Sequence, residues 1–199
     1  MKSLRKLIDY LKEDYAFLTK EDIKLIIELT SCKSLKAGDF FVKFEDKSKK
    51  MFFVQEGLFK AFFYDKNYNE VIIDFYKEGD LSGDWQSTLL GQPSQICIQA
   101  IEDSYIVQID TERLSQLMKN NLNLIQVYNQ ILKDILLHSL HNIKHNMNEK
   151  PKERYIHLIE DRPYLFNRVP QKEIAAYLGI TPVSLSRLKR RVTQTQLAS

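Results

Sequence analysis

The run VPQKEIAAYLGITPVSLSRLKRR, Val169 to Arg191, constrains the fold of this 199-residue chain more than any other stretch. Gln171 to Leu178 suits a short helix with Ile174, Ala175 and Leu178 facing inward. Gly179 permits the left-handed backbone that ends such a helix, and Ile180 is an apolar staple. Thr181 is a good N-cap and Pro182 a good first helical residue. Val183 to Arg191 continues a second helix that turns Leu185, Leu188 and Val192 inward. A helical hairpin with a solvated basic end would share this spacing. It would not need the cap, the proline, the turn glycine and the cations together. The combination predicts a helix-turn-helix, in which the first helix braces and the second enters the DNA major groove N-terminus first.

The outer faces of the second helix fit that role. Pro182, Val183 and Arg187 lie on them, and the Arg187 fork, one turn in, matches the N7 and O6 acceptors of guanine. Ser184 and Ser186 are short donors for phosphate oxygens, and Lys189, Arg190 and Arg191 add phosphate affinity. Gln171, Lys172 and Thr181, at the starts of the two helices, complete the DNA-facing set. Charge is distributed accordingly. From Lys150 to Ser199 ten cations stand against four anions, a net of +6, so the rest of the chain carries −3 of the total +3. A basic end on a mildly acidic body points to a polyanion partner for that end only.

Upstream, Leu4, Leu7, Ile8 and Leu11 repeat at helical spacing. Thr19-Lys20-Glu21-Asp22 resembles a capping box that opens a helix through Ile23, Ile26, Ile27 and Leu29. The period then changes. FFVKF (40–44), MFFVQEG (51–57), LFKAFFY (58–64), VIIDFY (71–76), ICIQAI (96–101) and YIVQI (105–109) are short, β-branched or aromatic, and separated by turn residues. Strands so closely spaced predict an antiparallel roll or barrel. Asp110 caps a helix over Leu114 to Met118. Asn121 to Met147 then reads as one long helix. Its seam of Ile125, Tyr128, Leu132, Leu136, Leu140, Ile143 and Met147 suits pairing with a second copy, packing on the roll, or both. Asn148-Glu149-Lys150-Pro151 breaks it as a hinge. The expected class is α+β, with a β-roll sensor domain at 1–120, a dimerisation helix at 121–147 and a helix-turn-helix domain at 148–199.

These features resemble the Crp/Fnr family of bacterial transcription regulators, and most closely the branch common in Bacteroidetes. The resemblance is carried by the closing motif and runs through the helices, β-roll, long helix and hinge. It implies a cyclic-nucleotide-binding-like roll of cupin-like build, a homodimer and a winged helix-turn-helix on a two-fold symmetric DNA site. RNA polymerase is then a further partner. Two departures stand out. Val183 occupies a position where the family usually has glutamate, and valine meets a thymine methyl rather than cytosine N4. The sequence stops eight residues after Arg191, where many members continue into a β-hairpin wing.

The nucleotide-binding members carry a Gly-Glu pair and, about ten residues on, an Arg-Ser or Arg-Thr pair for ribose and cyclic phosphate. Gly83-Asp84 and Ser94-Gln95 take those places, and no cation lies between Lys77 and Arg113. A buried cyclic phosphate without a paired cation is costly, so cyclic AMP and cyclic GMP are not expected as effectors. On the long helix the base-contacting positions align with Ser139 and Leu140. The candidate effector pocket, for an unidentified small molecule, is Gly83, Asp84, Trp85, Ser87, Ser94, Gln95 and Ser139. The opposing expectation is that Trp85 plugs the roll and no effector exists.

Other chemistries find little support. Cys32 and Cys97 form no CxxC pair, read as reduced thiols and cannot supply the four thiolates of an iron–sulfur cluster. His138, His141 and His145 share one helix face, which reads as polar and solvated rather than as a metal site. No histidine precedes His138, so the roll lacks the ligands of a cupin enzyme, and no nucleophile-base pair or phosphate loop appears. No enzymatic activity and no cofactor are expected. No apolar run nears the roughly 18 residues of a membrane span, and the N-terminus does not read as a signal peptide. The expected location is the cytoplasm. The competing reading is a small-molecule-binding roll with weak or lost sequence-specific DNA binding.

Overall fold

Local chemistry sets the first two helices. In the computed structural model, residues 4–47 and 49–196 are described, with side chains given for all of these except 145–147 and 193–196. Helix α1 (Arg5–Asp14) buries Leu7 and Leu11. Helix α2 (Lys20–Glu28) opens on the expected capping box: Thr19 Oγ1 accepts the Asp22 N–H at 3.1 Å, and Asp22 Oδ2 accepts the Thr19 N–H at 2.9 Å.

Eight strands follow: β1 (Thr30–Leu35), β2 (Phe40–Val42), β3 (Lys50–Glu56), β4 (Phe59–Tyr64), β5 (Glu70–Tyr76), β6 (Leu81–Gly83), β7 (Cys97–Ala100) and β8 (Ser104–Asp110). They form two four-stranded sheets, ordered β1-β8-β3-β6 and β2-β7-β4-β5. All six predicted strands are present. β1 and β6 were not expected as strands, and neither was helix α3 (Trp85–Leu90) after β6. Helix α4 (Thr111–Met118) is capped by Asp110, whose Oδ1 accepts the Arg113 N–H at 3.0 Å. Then come α5 (Leu122–Asn148), α6 (Pro151–Asp161), α7 (Leu165–Arg168), α8 (Gln171–Tyr177) and α9 (Pro182–Gln196). α9 is still helical at Gln196, so no wing strand follows it among the described residues. No helix among them is long and apolar enough to cross a membrane.

The chain divides into two compact units, one formed by the segment up to Tyr64 with Ile73–Lys133, the other by Asp65–Ile72 with the segment from Asp134 onward. In the first, alternate residues of β3 serve two cores. Phe52 and Val54 enter the roll interior with Leu35, Phe59, Ile98 and Ile106. The Phe52 ring lies 4.6 Å from Phe41, 5.1 Å from Phe59 and 6.2 Å from Tyr76. Met51 packs outside with Leu29, Ile109 and Leu114, and Phe53 meets Tyr10 at 5.3 Å. A strand covered on both faces needs no polar alternation, which explains the unbroken MFFV run.

The seam on α5 splits by environment. Leu124, Val127 and Ile131 form the buried stripe in the first unit. Ile125, Tyr128 and Leu132 are half-buried, while Leu136, Leu140 and Ile143 are all more than half exposed. The Met147 side chain lies outside the described residues.

Two polar devices hold the first unit. Gly57, between β3 and β4, has φ +108°, and a Cβ there would fall 2.1 Å from Ser104 Oγ. Its N–H donates to Glu78 Oε1 at 2.9 Å. The second device is Asp22, only 5% exposed. Its carboxylate accepts from Asn121 Nδ2 at 2.6 Å and from Asn123 Nδ2 at 2.8 Å, in addition to the Thr19 hydroxyl and N–H. Asn121 in turn caps α5, its Oδ1 accepting the Leu124 N–H at 3.1 Å. Burial pushes the Asp22 carboxyl up, but the donated hydrogen bonds outweigh it and hold the group well below the usual carboxylate range.

Gly57→Ala combines left-handed strain with a clash against Ser104, so it is expected to lower the unfolding free energy by about 2 kcal/mol or more. An unchanged urea midpoint would contradict the close approach. For Asp22, a depressed folded-state pKa adds stability that is present above the unfolded value near ~4 and is lost as pH falls below it. Asp22→Asn is therefore expected to cost about 1–3 kcal/mol at pH 7. It should also flatten the decline of stability between about pH 4 and pH 2. Parallel pH profiles for variant and parent would refute this role.

Candidate nucleic-acid interface

The second unit builds its surface from the turn outward. Ile174, Ala175 and Leu178 of the first helix are buried, as are Leu185 and Val192 of the second, and Leu188 is half-buried. Gly179 ends α8 at φ +66°, the left-handed value expected of it, and the Ile180 N–H reaches the Ala175 carbonyl at 2.9 Å. Thr181 caps α9, its Oγ1 accepting the Ser184 N–H at 3.1 Å and donating to Ser184 Oγ at 2.9 Å. Pro182 is the first helical residue.

This packing leaves a defined outer surface. Pro182, Val183, Ser184, Ser186, Arg187, Arg190 and Arg191 are exposed, Val183 by 60%. Val183, Ser184, Arg187, Arg190 and Arg191, at 100° per residue, fall within an arc of about 120° and so share one helix face. Thr181 and, at the start of α8, Gln171 and Lys172 are also exposed. Lys189 differs from the other cations. It is half-buried, with its ammonium 5.5 Å from the Phe166 ring centre, so part of its charge is directed into its own domain.

One contact that the sequence did not signal fixes the turn. Arg154, in the first turn of α6, donates from Nη1 to the Glu149 carbonyl at 2.7 Å and from Nη2 to the Leu178 carbonyl at 2.9 Å. It ties the hinge strand of the chain to the last carbonyl of α8. Tyr155, on the next position, packs edge-on against Phe166 at 5.6 Å.

The effector residues are dispersed by their local roles. Gly83 lies in β6 opposite Met51, too close to the β3 backbone for a side chain without adjustment. Asp84, 2% exposed, caps α3 by accepting the Ser87 N–H at 3.1 Å, and its Oδ2 is buried without a hydrogen-bond partner. Ser87 is buried. Ser94 is fully buried, donating to the Ile96 carbonyl at 2.8 Å and accepting the Ile96 N–H at 3.2 Å. Gln95 and Ser139 are exposed. Trp85 is half-buried and packs on the outer cluster of Leu29, Met51 and Leu114, so it does not plug the roll. The interior is filled instead by Phe52 and Phe59. Cys32 is exposed and Cys97 buried, and neither forms a disulfide. His138 Nε2 lies 3.0 Å from Asn142 Nδ2, His141 is exposed, and the His145 side chain lies outside the described residues. No three His, Cys, Asp or Glu side chains among the described residues are grouped to hold a metal ion.

Comparison with known proteins gives the wider frame. Residues 32–121 match the family model of the cyclic nucleotide-binding domain. FixK2 from Bradyrhizobium japonicum superposes with a TM-score of 0.73 at 15% identity, over 84% of this chain and 86% of its own. A regulator assigned to the Crp/Fnr family from Eubacterium rectale gives 0.72 at 16% identity, over 94% and 88%. CLP from Xanthomonas campestris, described as a c-di-GMP responsive global regulator, gives 0.69 at 14% identity, over 88% and 92%. No curated protein matches the sequence.

Proposed function

The chain has the fold of the Crp/Fnr regulators, with a cyclic nucleotide-binding-type domain over residues 32–121, and from that premise we propose that it is a DNA-binding transcription regulator. Two copies pair through α5 and present two α9 helices to a two-fold symmetric site. The observation that carries this reading is the exposed stripe of Val183, Ser184, Arg187, Arg190 and Arg191 on a helix whose other face is locked by Leu185 and Val192. Arg187 reads a base edge, Val183 favours a thymine methyl, and Ser184, Arg190 and Arg191 hold phosphates. The exposed Leu136, Leu140 and Ile143 support the pairing, because a lone helix rarely leaves such a stripe in water. RNA polymerase is the partner through which a bound dimer acts, in the cytoplasm.

The regulator does not respond to cyclic AMP or cyclic GMP. Where the family would place its phosphate arginine, Ser94 is fully buried and bonded to Ile96. Residues 78–112 offer no cation, and aromatic rings fill the roll. No catalytic role is assigned to it.

Selection from a random duplex library, with purified protein and no added ligand, tests the reading. A palindrome with half-sites about one helical turn apart is expected, roughly 10 base pairs centre to centre. Arg187→Ala should lower affinity for the selected site by about 1–3 kcal/mol and relax preference at one base pair. Equal affinity of variant and parent would remove Arg187 from base reading. Leu140→Glu should convert a dimer to a monomer in sedimentation velocity. A parent that already sediments as a monomer would refute the pairing.

A further inference from the structure

Arg154 joins two parts of the second unit that are distant in sequence. It stands three positions after Pro151, the first residue of α6. Its N–H donates to the Lys150 carbonyl at 3.1 Å and its Nη1 to the Glu149 carbonyl at 2.7 Å. Backbone and side chain thus both hold the residues that follow α5. Its Nη2 donates at 2.9 Å to the Leu178 carbonyl, 24 residues away. Leu178 is the C-cap of α8 and is buried, so its carbonyl has neither a helical partner nor ready access to water. A Cβ placed on Gly179 would meet Nη2 at 3.8 Å, so the guanidinium lies against the turn itself.

The Nε–H of the same side chain is buried without a partner. An unpaired buried donor opposes this placement, so the two terminal bonds have to outweigh it. Both terminal nitrogens are spent on carbonyls, which separates Arg154 from the exposed cations of α9. Its position is passed on through a stiff turn. Only Gly179, Ile180 and Thr181 lie between Leu178 and the start of α9 at Pro182. The Ile180 N–H is bonded to the Ala175 carbonyl, and Thr181 caps α9. Arg187 lies five residues past Pro182, about 7.5 Å along the axis. A tilt of about 10° at the turn therefore moves it by ~1 Å, more than the range over which a hydrogen bond forms. Two α9 helices docking at once make the demand stricter.

We propose that Arg154 is a positioning residue for DNA reading. It makes no contact with the duplex. It fixes the angle of α9 to the hinge, and so sets the ratio of specific to non-specific affinity. Non-specific binding needs only cations near phosphates and tolerates a tilted helix. Base reading by Arg187 does not. The role in specificity rests on the DNA-reading function above, and the hold of Arg154 on the turn does not.

Fluorescence anisotropy on the full chain, with the selected duplex and an unrelated duplex of equal length over a salt series, tests the proposal. Arg154→Gln should lower affinity for the selected duplex about tenfold or more, the scale of one lost base contact. Affinity for the unrelated duplex should change by less than about twofold, and the salt slope should stay at the parent's value. A variant that merely weakened the fold would lose both affinities together, so a parental ratio overturns the proposal. A slope lowered by about 0.9, as expected of Arg190→Ala, would make Arg154 a phosphate contact and overturn it too. Arg154→Lys keeps the charge and loses the fork. It should lower the ratio by about threefold or more, and it decides the matter if Arg154→Gln does not fold. Amide hydrogen exchange tests the hold on the turn without DNA. The Ile180 N–H should exchange about tenfold faster in either variant, with the Val54 N–H of the first unit unchanged. Parental exchange at Ile180 would overturn that hold. A parent that selects no palindrome would overturn the role in DNA reading and leave the hold on the turn to the exchange rates.

Discussion

The first unit depends on β3 being covered on both faces. Phe52 and Val54 fill the roll, while Met51 and Phe53 meet the helices outside. A sheet strand in that position ties the interior of the roll to α1 and to the cluster of Leu29 and Leu114. Rings at 4.6 and 5.1 Å from Phe52 keep that interior filled. The proposed indifference to cyclic nucleotides rests on charge instead: residues 78–112 hold no cation to meet a buried cyclic phosphate.

The second unit is organised by a different interaction. α8 and α9 are short, and helices of this length are marginal without tertiary support. Leu178 and Leu185 supply the apolar part of that support, being 2% and 0% exposed. Arg154 supplies the polar part. A helix C-terminus presents carbonyls with no helical partner, and a guanidinium there satisfies one of them and meets the negative end of the dipole. The same residue holds the Glu149 carbonyl in the hinge. One side chain thus links the turn to the hinge, beside the apolar packing of Tyr155 on Phe166.

Much of this was legible in the sequence, and the reasons differ by element. The turn at Gly179, the Thr181 cap and the inward Leu185 were readable because glycine, cap and proline chemistry is local. The capping box at Thr19 was readable for the same reason. Its partners Asn121 and Asn123 were not, since 99 and 101 residues separate them from Asp22. β1 escaped because TSCKSL has almost no apolar pattern: four of its six residues are exposed, and it is held by its ladder to β8. β6 and α3 escaped because Gly79 to Gln99 resembles a ligand cassette, although Asp84 serves there as an N-cap. Its place in the cation run makes Lys189 look like a phosphate contact. Its half-burial over Phe166 depends on α7, a four-residue helix with no periodic signal.

The histidine face shows how far periodicity alone carries. Spacing places His138 and His141 on one side of α5 and suggests a solvated face. It cannot bring His157, Arg154 and Arg162 to them across the hinge, because the break at Pro151 sets where α6 begins, not where it turns. With those residues in place the face becomes one wall of a cavity lined by both signs of charge, Arg154 and Arg162 with Glu149 and Asp161.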